Sequence, residues 1–417
     1  YSHHGPIVAM KDGIAYAHKT AYADVANGND AWLYLNFGKD YRDAVKALDT
    51  LTMFPQNVMC ADTSGNIYYQ RSGRVPVRPD GYDWSKPVDG STSATEWLGF
   101  HPASDHLQVV NPEQGYMQNC NIPPDAMLPD GPFPPGKYKD YLVADMSHGP
   151  RSGWLNHRGA RAIDLLSNDD SVTVEEALDY ALDIKPYGID RWIELFQAST
   201  EANPVENKDA LKEVFEWNRE LDKDSAAALK YYAWRKQIML DLGDEKGNAL
   251  IKEMEPFYEI LIEGKDMPYT VDADTQKVIA QAFDKAMDVI IEKGGSLDVV
   301  YGDYFRVGRD DKSWPLGGGG DGDATGRTLR SIGYTQERED GTRWGRNGQT
   351  STQIVVMTKP IQSWSQPPIG QSDRPESPHY TDQAEKLLSE RTMKDTWWMP
   401  EELKDHIESR TVLGNAP

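Results

Sequence analysis

Residues 57–70 read NVMCADTSGNIYYQ and contain the clearest fold signal of the sequence. β-Prone residues flank the turn-forming residues 63–66, so the stretch predicts an antiparallel hairpin with a loop of about four residues. A second β-prone run covers residues 4–8. Residues 108–121 predict a strand, a turn and another strand. We therefore expect residues 1–135 to be rich in strands, with one helix near residues 41–51.

The middle of the chain carries helical signals. Residues 173–176 read TVEE, a capping box that predicts a helix start. Apolar residues then recur at three- and four-residue spacing in four further runs. These runs cover residues 207–221, 225–242, 248–263 and 274–293. We predict a helical region over residues 136–298.

Strand signals return in residues 299–417, at 299–301, 329–334 and 352–357, before two short helices at 382–389 and 400–409. Strands, then helices, then strands again are typical of an α+β chain with a helical insertion.

Composition excludes several classes of protein. The 417 residues carry 44 Lys and Arg against 66 Asp and Glu, a formal net charge of −22 that opposes binding to nucleic acid. The mean hydropathy is −0.66, and no run approaches the roughly 20 apolar residues of a membrane span. With only Cys60 and Cys120, a cysteine-rich metal site is excluded. We expect two separate buried thiols in preference to one disulfide.

Self-contained catalytic motifs are missing from the sequence. It has no Gly-x-Ser-x-Gly elbow and no His-Glu-x-x-His helix, and the glycines at 317–320 lack the Lys-Ser/Thr of a phosphate loop. His3 and His4 could bind a metal, but no carboxylate lies near them at helical spacing, which favours structural histidines. Ser2 could act as an N-terminal nucleophile only if Tyr1 were removed. The first residues contain no signal peptide, as expected of a mature chain or an internal piece of a precursor.

Eight short strings occur in an order that resembles one family. They are HHGP (3–6), NxxxADxxGNIxY (57–69), GRVPxR (73–78), NPxxGYxxNxN (111–121), Trp217 with DSA (224–226), YGD (301–303), GQS (370–372) and SPHYxDQ (377–383). Together they are similar to the β subunit of the penicillin acylase family. That family includes penicillin G acylase, cephalosporin acylases and acyl-homoserine-lactone acylases.

This resemblance implies an N-terminal-nucleophile hydrolase fold, an αββα sandwich. In the family a precursor is cut into α and β chains, and the serine exposed at the β-chain N-terminus attacks an amide carbonyl. The resemblance places that serine upstream of Tyr1, so the sandwich here is partial and its nucleophile-bearing strand is absent. The implied partners are the α chain and the N-terminal β-chain segment, with a location in the periplasm or outside the cell. No catalytic cofactor is implied.

Two polar residues match family positions near the reaction. Asn121 matches the oxyanion asparagine, whose side-chain amide can donate to a negative oxygen without changing charge. An Asn that caps a turn before two prolines is the alternative, and Asn119 is a second choice for the role. Arg158 matches an active-site arginine that could orient the nucleophile, although we favour a structural ion pair. Arg161 competes for the assignment.

The substrate pocket is matched by fewer residues. Asn57 lies on the strand that lines the family's pocket, although an Asn at the edge of a ladder fits equally well. Trp32 and Phe37 lie near the segment that supplies an aromatic pocket wall, and core packing explains them at least as well. The resemblance also implies a structural Ca²⁺, for which Asp130 is a loose match.

The predicted function is hydrolysis of an N-acyl amide by a serine outside this sequence, with a small-molecule N-acyl substrate and neither nucleic acid nor membrane as a partner. β-Lactams, acyl-homoserine lactones and simple anilides are all compatible. The alternative is a non-catalytic module that binds a ligand or partner on the same scaffold.

Overall fold

The computed structural model describes residues 1–129, 133, 153–320, 326–349 and 351–414. It contains helices and sheets, as an α+β chain requires. The α-helices are α1 (Asp30–Asn36), α2 (Tyr41–Leu48), α3 (His157–Ser167), α4 (Val174–Ala181), α5 (Ile189–Ala202), α6 (Lys208–Glu216), α7 (Ala226–Met254), α8 (Phe257–Leu261), α9 (Ala273–Gly294), α10 (Tyr301–Tyr304) and α11 (Pro400–Leu403). A π-helix covers Ala384–Ser389.

Twelve strands are found in the described residues, in four sheets. The strands are β1 (Ile7–Lys11), β2 (Ile14–Ala17), β3 (Asn57–Ala61), β4 (Ile67–Arg71), β5 (Gln108–Val110), β6 (Phe305–Arg309), β7 (Lys312–Pro315), β8 (Ile332–Tyr334), β9 (Arg343–Gly348), β10 (Thr352–Val356), β11 (Gln362–Gln366) and β12 (Lys394–Asp395). The sheet orders are β1-β2, β3-β4-β5, β7-β6-β9-β8 and β10-β11-β12. All pairs are antiparallel except β6 with β9.

The first of two compact units comprises residues 1–159 and 257–266. The predicted hairpin is confirmed, because β3 and β4 pair from Asn57 opposite Arg71 to Ala61 opposite Ile67. Successive side chains of a strand point to opposite faces. Tyr68 therefore packs with residues of α1 and α2, whereas Tyr69 packs on the other face against Leu107, Met127, Leu128 and Phe133. The site described below lies beside the Tyr69 face.

The second unit comprises residues 160–256 and 267–417, of which the described part carries a large aromatic core. Trp234 of α7 lies 4.1 Å from Phe196 of α5 and 4.6 Å from Phe283 of α9, measured between ring centroids. Its indole nitrogen donates to the Ile279 carbonyl at 2.7 Å, which satisfies the polar atom of a fully buried ring. The predicted capping box of Thr173 and Glu176 is confirmed at the start of α4.

The helical runs 225–242 and 248–263 meet at a glycine. Gly243 has φ +70° and ψ 172°, a conformation that glycine adopts without steric cost, and it interrupts the helical geometry within α7. The break between the two predicted runs is thus found at Gly243. The run 248–263 is not one helix, because α7 ends at Met254 and α8 covers Phe257–Leu261.

Two predicted strands are wrong. Residues 301–304 form α10 instead of continuing a strand, and β6 begins only at Phe305. Residues 116–121 form no strand after β5. Directly after β5, Asn111 adopts φ +46° and Pro112 has no N–H for a strand ladder, so the extended conformation of β5 stops at Val110.

The two cysteines are free, as predicted, but they are half-buried instead of buried. Within the described residues, every helix is too short or too polar to cross a lipid bilayer.

Candidate functional site

Asn121 lies on an exposed turn whose backbone is held from several sides. Its φ is +60°, a left-handed conformation that asparagine tolerates better than most residues. Its N–H donates to Asn119 Oδ1 at 3.1 Å, and the next residue, Ile122, is buried. The side chain of Asn121 thus projects into solvent from an anchored backbone.

The start of α3 supplies the main anchor of this turn. Asn156 precedes the helix and accepts a hydrogen bond from the Gly159 N–H at 2.9 Å, which is N-cap chemistry. The same side chain donates through Nδ2 to the Cys120 carbonyl at 2.8 Å. The Arg158 guanidinium donates to that carbonyl at 2.9 Å and to Asn121 Oδ1 at 2.8 Å.

The contact with Arg158 determines which way the Asn121 amide faces. A guanidinium only donates hydrogen bonds, so the amide oxygen must point towards Arg158 and the NH₂ group must point away. Among the described residues, no acceptor lies within hydrogen-bond distance of Asn121 Nδ2. The geometry therefore presents two N–H donors to solvent, beside a positive charge.

Asn57 reaches the same turn from β3. Its Nδ2 is 3.5 Å from the Ile122 carbonyl, and its Oδ1 accepts a hydrogen bond from the Tyr69 hydroxyl at 2.7 Å. Burial raises the pKa of Tyr69 above its ordinary value, so the hydroxyl keeps its proton and remains a donor. Both polar ends of Asn57 are thus engaged by the protein.

The aromatic residues assigned to a pocket wall lie on the surface of their unit. Trp32 of α1 is 51% exposed and Phe37, which follows the helix, is 74% exposed. Within the described residues, packing in a hydrophobic core therefore does not account for the aromatic side chains of Trp32 and Phe37. The structure does not bring them into contact with the Asn121 turn.

An ion pair of the kind considered for Arg158 is seen at Arg161. This residue binds Asp164 at 2.7 Å and Asp183 at 2.9 Å. Arg161 is thus engaged with two carboxylates, and Arg158 is the arginine that contacts Asn121.

Asn156 is the residue of this site that sequence reasoning missed. A signal for it exists, because an Asn directly before a helical run is a typical N-cap. The pattern does not reveal that the same amide also holds the Cys120 carbonyl.

A family model for penicillin amidase matches residues 1–404 of this chain. The chain belongs to the penicillin amidase family. Penicillin G acylase from Escherichia coli is 34% identical over 101 residues, which amount to 24% of this chain and 12% of that protein. A thermostable penicillin G acylase from Alcaligenes faecalis has the same fold, with a TM-score of 0.59 at 18% identity. That match covers 100% of this chain and 78% of the other.

The structural Ca²⁺ that the family resemblance implies is not tested by the described residues. Asp130 lies outside them. The one group of three His, Cys, Asp or Glu side chains close enough to share an ion there comprises His3, His4 and Glu96. Two imidazoles do not suit Ca²⁺, which takes oxygen ligands. The Ca²⁺ stays a prediction.

Proposed function

We propose that this chain is the larger part of the β subunit of an amidohydrolase that cleaves N-acyl amides, and that Asn121 donates to the oxyanion. The observation that carries the proposal is the 2.8 Å contact between Arg158 and Asn121 Oδ1, which turns Nδ2 outward. An oxyanion hole needs donors that are oriented before charge develops on the substrate oxygen. Family membership supports the reaction class.

The proposed reaction uses a serine hydroxyl from segments outside this chain. The serine oxygen attacks the amide carbon, and the carbonyl oxygen becomes an oxyanion that accepts a hydrogen bond from Asn121 Nδ2. Collapse of this tetrahedral intermediate breaks the C–N bond, and the amine leaves with a proton. Water then attacks the acyl ester through a second oxyanion at the same donor, which releases the acid and regenerates the serine hydroxyl.

Uncovered apolar residues support the proposed partners. In the hairpin of β1 and β2, Val8 is 64% and Met10 is 68% exposed, and Ile7 and Ile14 are exposed as well. An isolated two-stranded hairpin is marginally stable in water, so these strands gain stability from further covering chain. We assign that cover to the remaining segments of the precursor. Trp32 and Phe37 then become wall residues of an acyl pocket, and the family resemblance places the enzyme in the periplasm or outside the cell.

The proposed function is tested on the complete precursor. We expect mass spectrometry to find a second polypeptide that begins with serine, and a panel of phenylacetyl, glutaryl and long-chain acyl amides to include a substrate. A purified complex without any hydrolysis and without reaction of a serine-directed label would support the alternative, a non-catalytic binding module.

Arg158→Met is expected to lower kcat about tenfold or more, because loss of a hydrogen bond from a charged donor costs roughly 1.5–3 kcal/mol. Arg158 acts by positioning Asn121, so KM should change much less than kcat. Steady-state kinetics on the complete enzyme measure both constants. Arg161→Met, which removes the neighbouring ion-paired arginine, is the control and should lower stability more than kcat. Equal kcat for Arg158→Met and the unmodified enzyme would contradict the positioning role.

The double variant Val8→Asp/Met10→Asp is expected to abolish co-purification with the other precursor segments. Two carboxylates on the apolar hairpin oppose its burial, since a buried unpaired charge is strongly unfavourable. Leu240→Asp, at another exposed apolar position, is the matched control and should assemble normally. Normal assembly of the double variant would show that this hairpin is not covered by the partner.

A further inference from the structure

The turn at residues 2–5 brings two imidazoles to a carboxylate from a distant loop. His3 Nε2 lies 2.8 Å from Glu96 Oε1, and His4 Nδ1 lies 3.6 Å from the same oxygen. One ligand atom from each side chain lies within 4.8 Å of the others. The carboxylate comes from 93 residues after His3, so helical spacing in the sequence could not reveal it.

The orientation of the His4 ring is set by a backbone carbonyl. His4 Nε2 lies 2.9 Å from the Gly90 oxygen. Because a carbonyl only accepts, Nε2 carries the hydrogen and neutral His4 presents the Nδ1 lone pair to Glu96. Two lone pairs that face each other repel, and either a proton or a metal ion between them removes the repulsion. Donation from the second ring nitrogen to a backbone carbonyl is also the usual arrangement of a metal-bound histidine.

Gly90 permits this close approach, because a Cβ at that position would lie 2.8 Å from His4 Nε2. Glu96 is held from its other side, where Lys19 Nζ lies 2.6 Å from Oε2. Glu96 Oε1 is thus left facing the two imidazoles.

We propose that His3, His4 and Glu96 bind one Zn²⁺, with water as the fourth ligand. Two imidazole nitrogens and one carboxylate oxygen are ligands that Zn²⁺ prefers, and tetrahedral bonds of the usual length separate such ligands by about 3.3 Å. The distances of 2.8 Å and 3.6 Å from the two imidazole nitrogens to Glu96 Oε1 lie on either side of that value. The ion ties the turn at residues 2–5 to the loop around residues 90–96, so its role is structural.

The test is zinc titration by calorimetry together with thermal unfolding. For this test the protein is produced with an added N-terminal extension, so that no free α-amine lies near His3 and competes for the ion. We expect one Zn²⁺ per chain and a higher melting temperature with zinc, reversed by a chelator, because an ion that binds only the folded state stabilises it.

Substitutions locate the ion. His3→Gln and Glu96→Gln should each weaken zinc binding at least tenfold and remove the rise in melting temperature. His379→Gln is the matched control, since His379 lies 3.1 Å from Asp382 in a pair without a second imidazole, and it should bind zinc as the unmodified chain does. His3 is exposed, so circular dichroism of His3→Gln should show an unchanged fold. Absence of zinc binding, or equal affinity in His3→Gln and His379→Gln, would overturn the proposal.

Discussion

Asn121→Ala in the complete enzyme is expected to lower kcat for N-acyl amides by about 10²–10³-fold, the usual cost of removing one oxyanion donor. The melting temperature should stay nearly unchanged, because the Asn121 side chain is exposed and, among the described residues, its hydrogen-bond partner is Arg158. KM should change little, since the donor acts mainly on the charge that develops in the transition state. Kinetics and thermal unfolding of the same preparations measure all three quantities.

Asn119→Ala is the comparison for this prediction. Asn119 Oδ1 accepts from the Asn121 backbone, so its loss should loosen the turn and lower kcat by less than Asn121→Ala. Asn121→Asp should also be inactive, because a carboxylate has no N–H to donate and would repel an oxyanion. Retained turnover in Asn121→Ala, combined with its loss in Asn119→Ala, would move the oxyanion role to Asn119.

Glu255→Ala is expected to lower the free energy of unfolding by about 3–5 kcal/mol, because it leaves a buried guanidinium without its counter-charge. Arg235 is 1% exposed and lies 3.1 Å from Glu255 Oε1. The Trp192 indole donates to that oxygen at 3.0 Å, and the Arg235 guanidinium stacks on the Trp192 ring at 4.0 Å. Removal of the carboxylate therefore leaves the Trp192 indole N–H and an Arg235 N–H without this acceptor, and the buried positive charge of Arg235 without its counter-charge. Denaturant titration measures the change.

Two further variants show where that energy comes from. Glu255→Gln keeps an oxygen that accepts from the Trp192 indole and removes only the charge. It should therefore lower the free energy of unfolding by less than Glu255→Ala does. Glu216→Ala breaks an exposed pair, 3.7 Å from Lys212, and should cost less than about 1 kcal/mol. If Glu255→Ala and Glu216→Ala lowered the free energy of unfolding by the same small amount, the buried pair would contribute no more to stability than a surface pair.

The sequence pattern predicted a helix or a hairpin correctly where all the residues that determine it lie in one short segment. The β3–β4 hairpin followed from two β-prone runs around a turn, and α4 followed from the capping box at Thr173. The strand predicted at 299–301 failed because β-branched residues raise strand propensity without determining it, and tertiary packing placed a helical turn at Tyr301–Tyr304.

By itself, the sequence determined that this acidic chain has an α+β fold. It singled out Asn121 within one of the ordered strings and Arg158 as the match to a family arginine. Only the tertiary structure decided that Arg158 donates to the Asn121 oxygen and that Glu96 meets His3 and His4. The physical reason is separation along the chain. The first pair is 37 residues apart and the second contact spans 93, and such contacts depend on the path of the intervening loops, which spacing along the sequence does not encode.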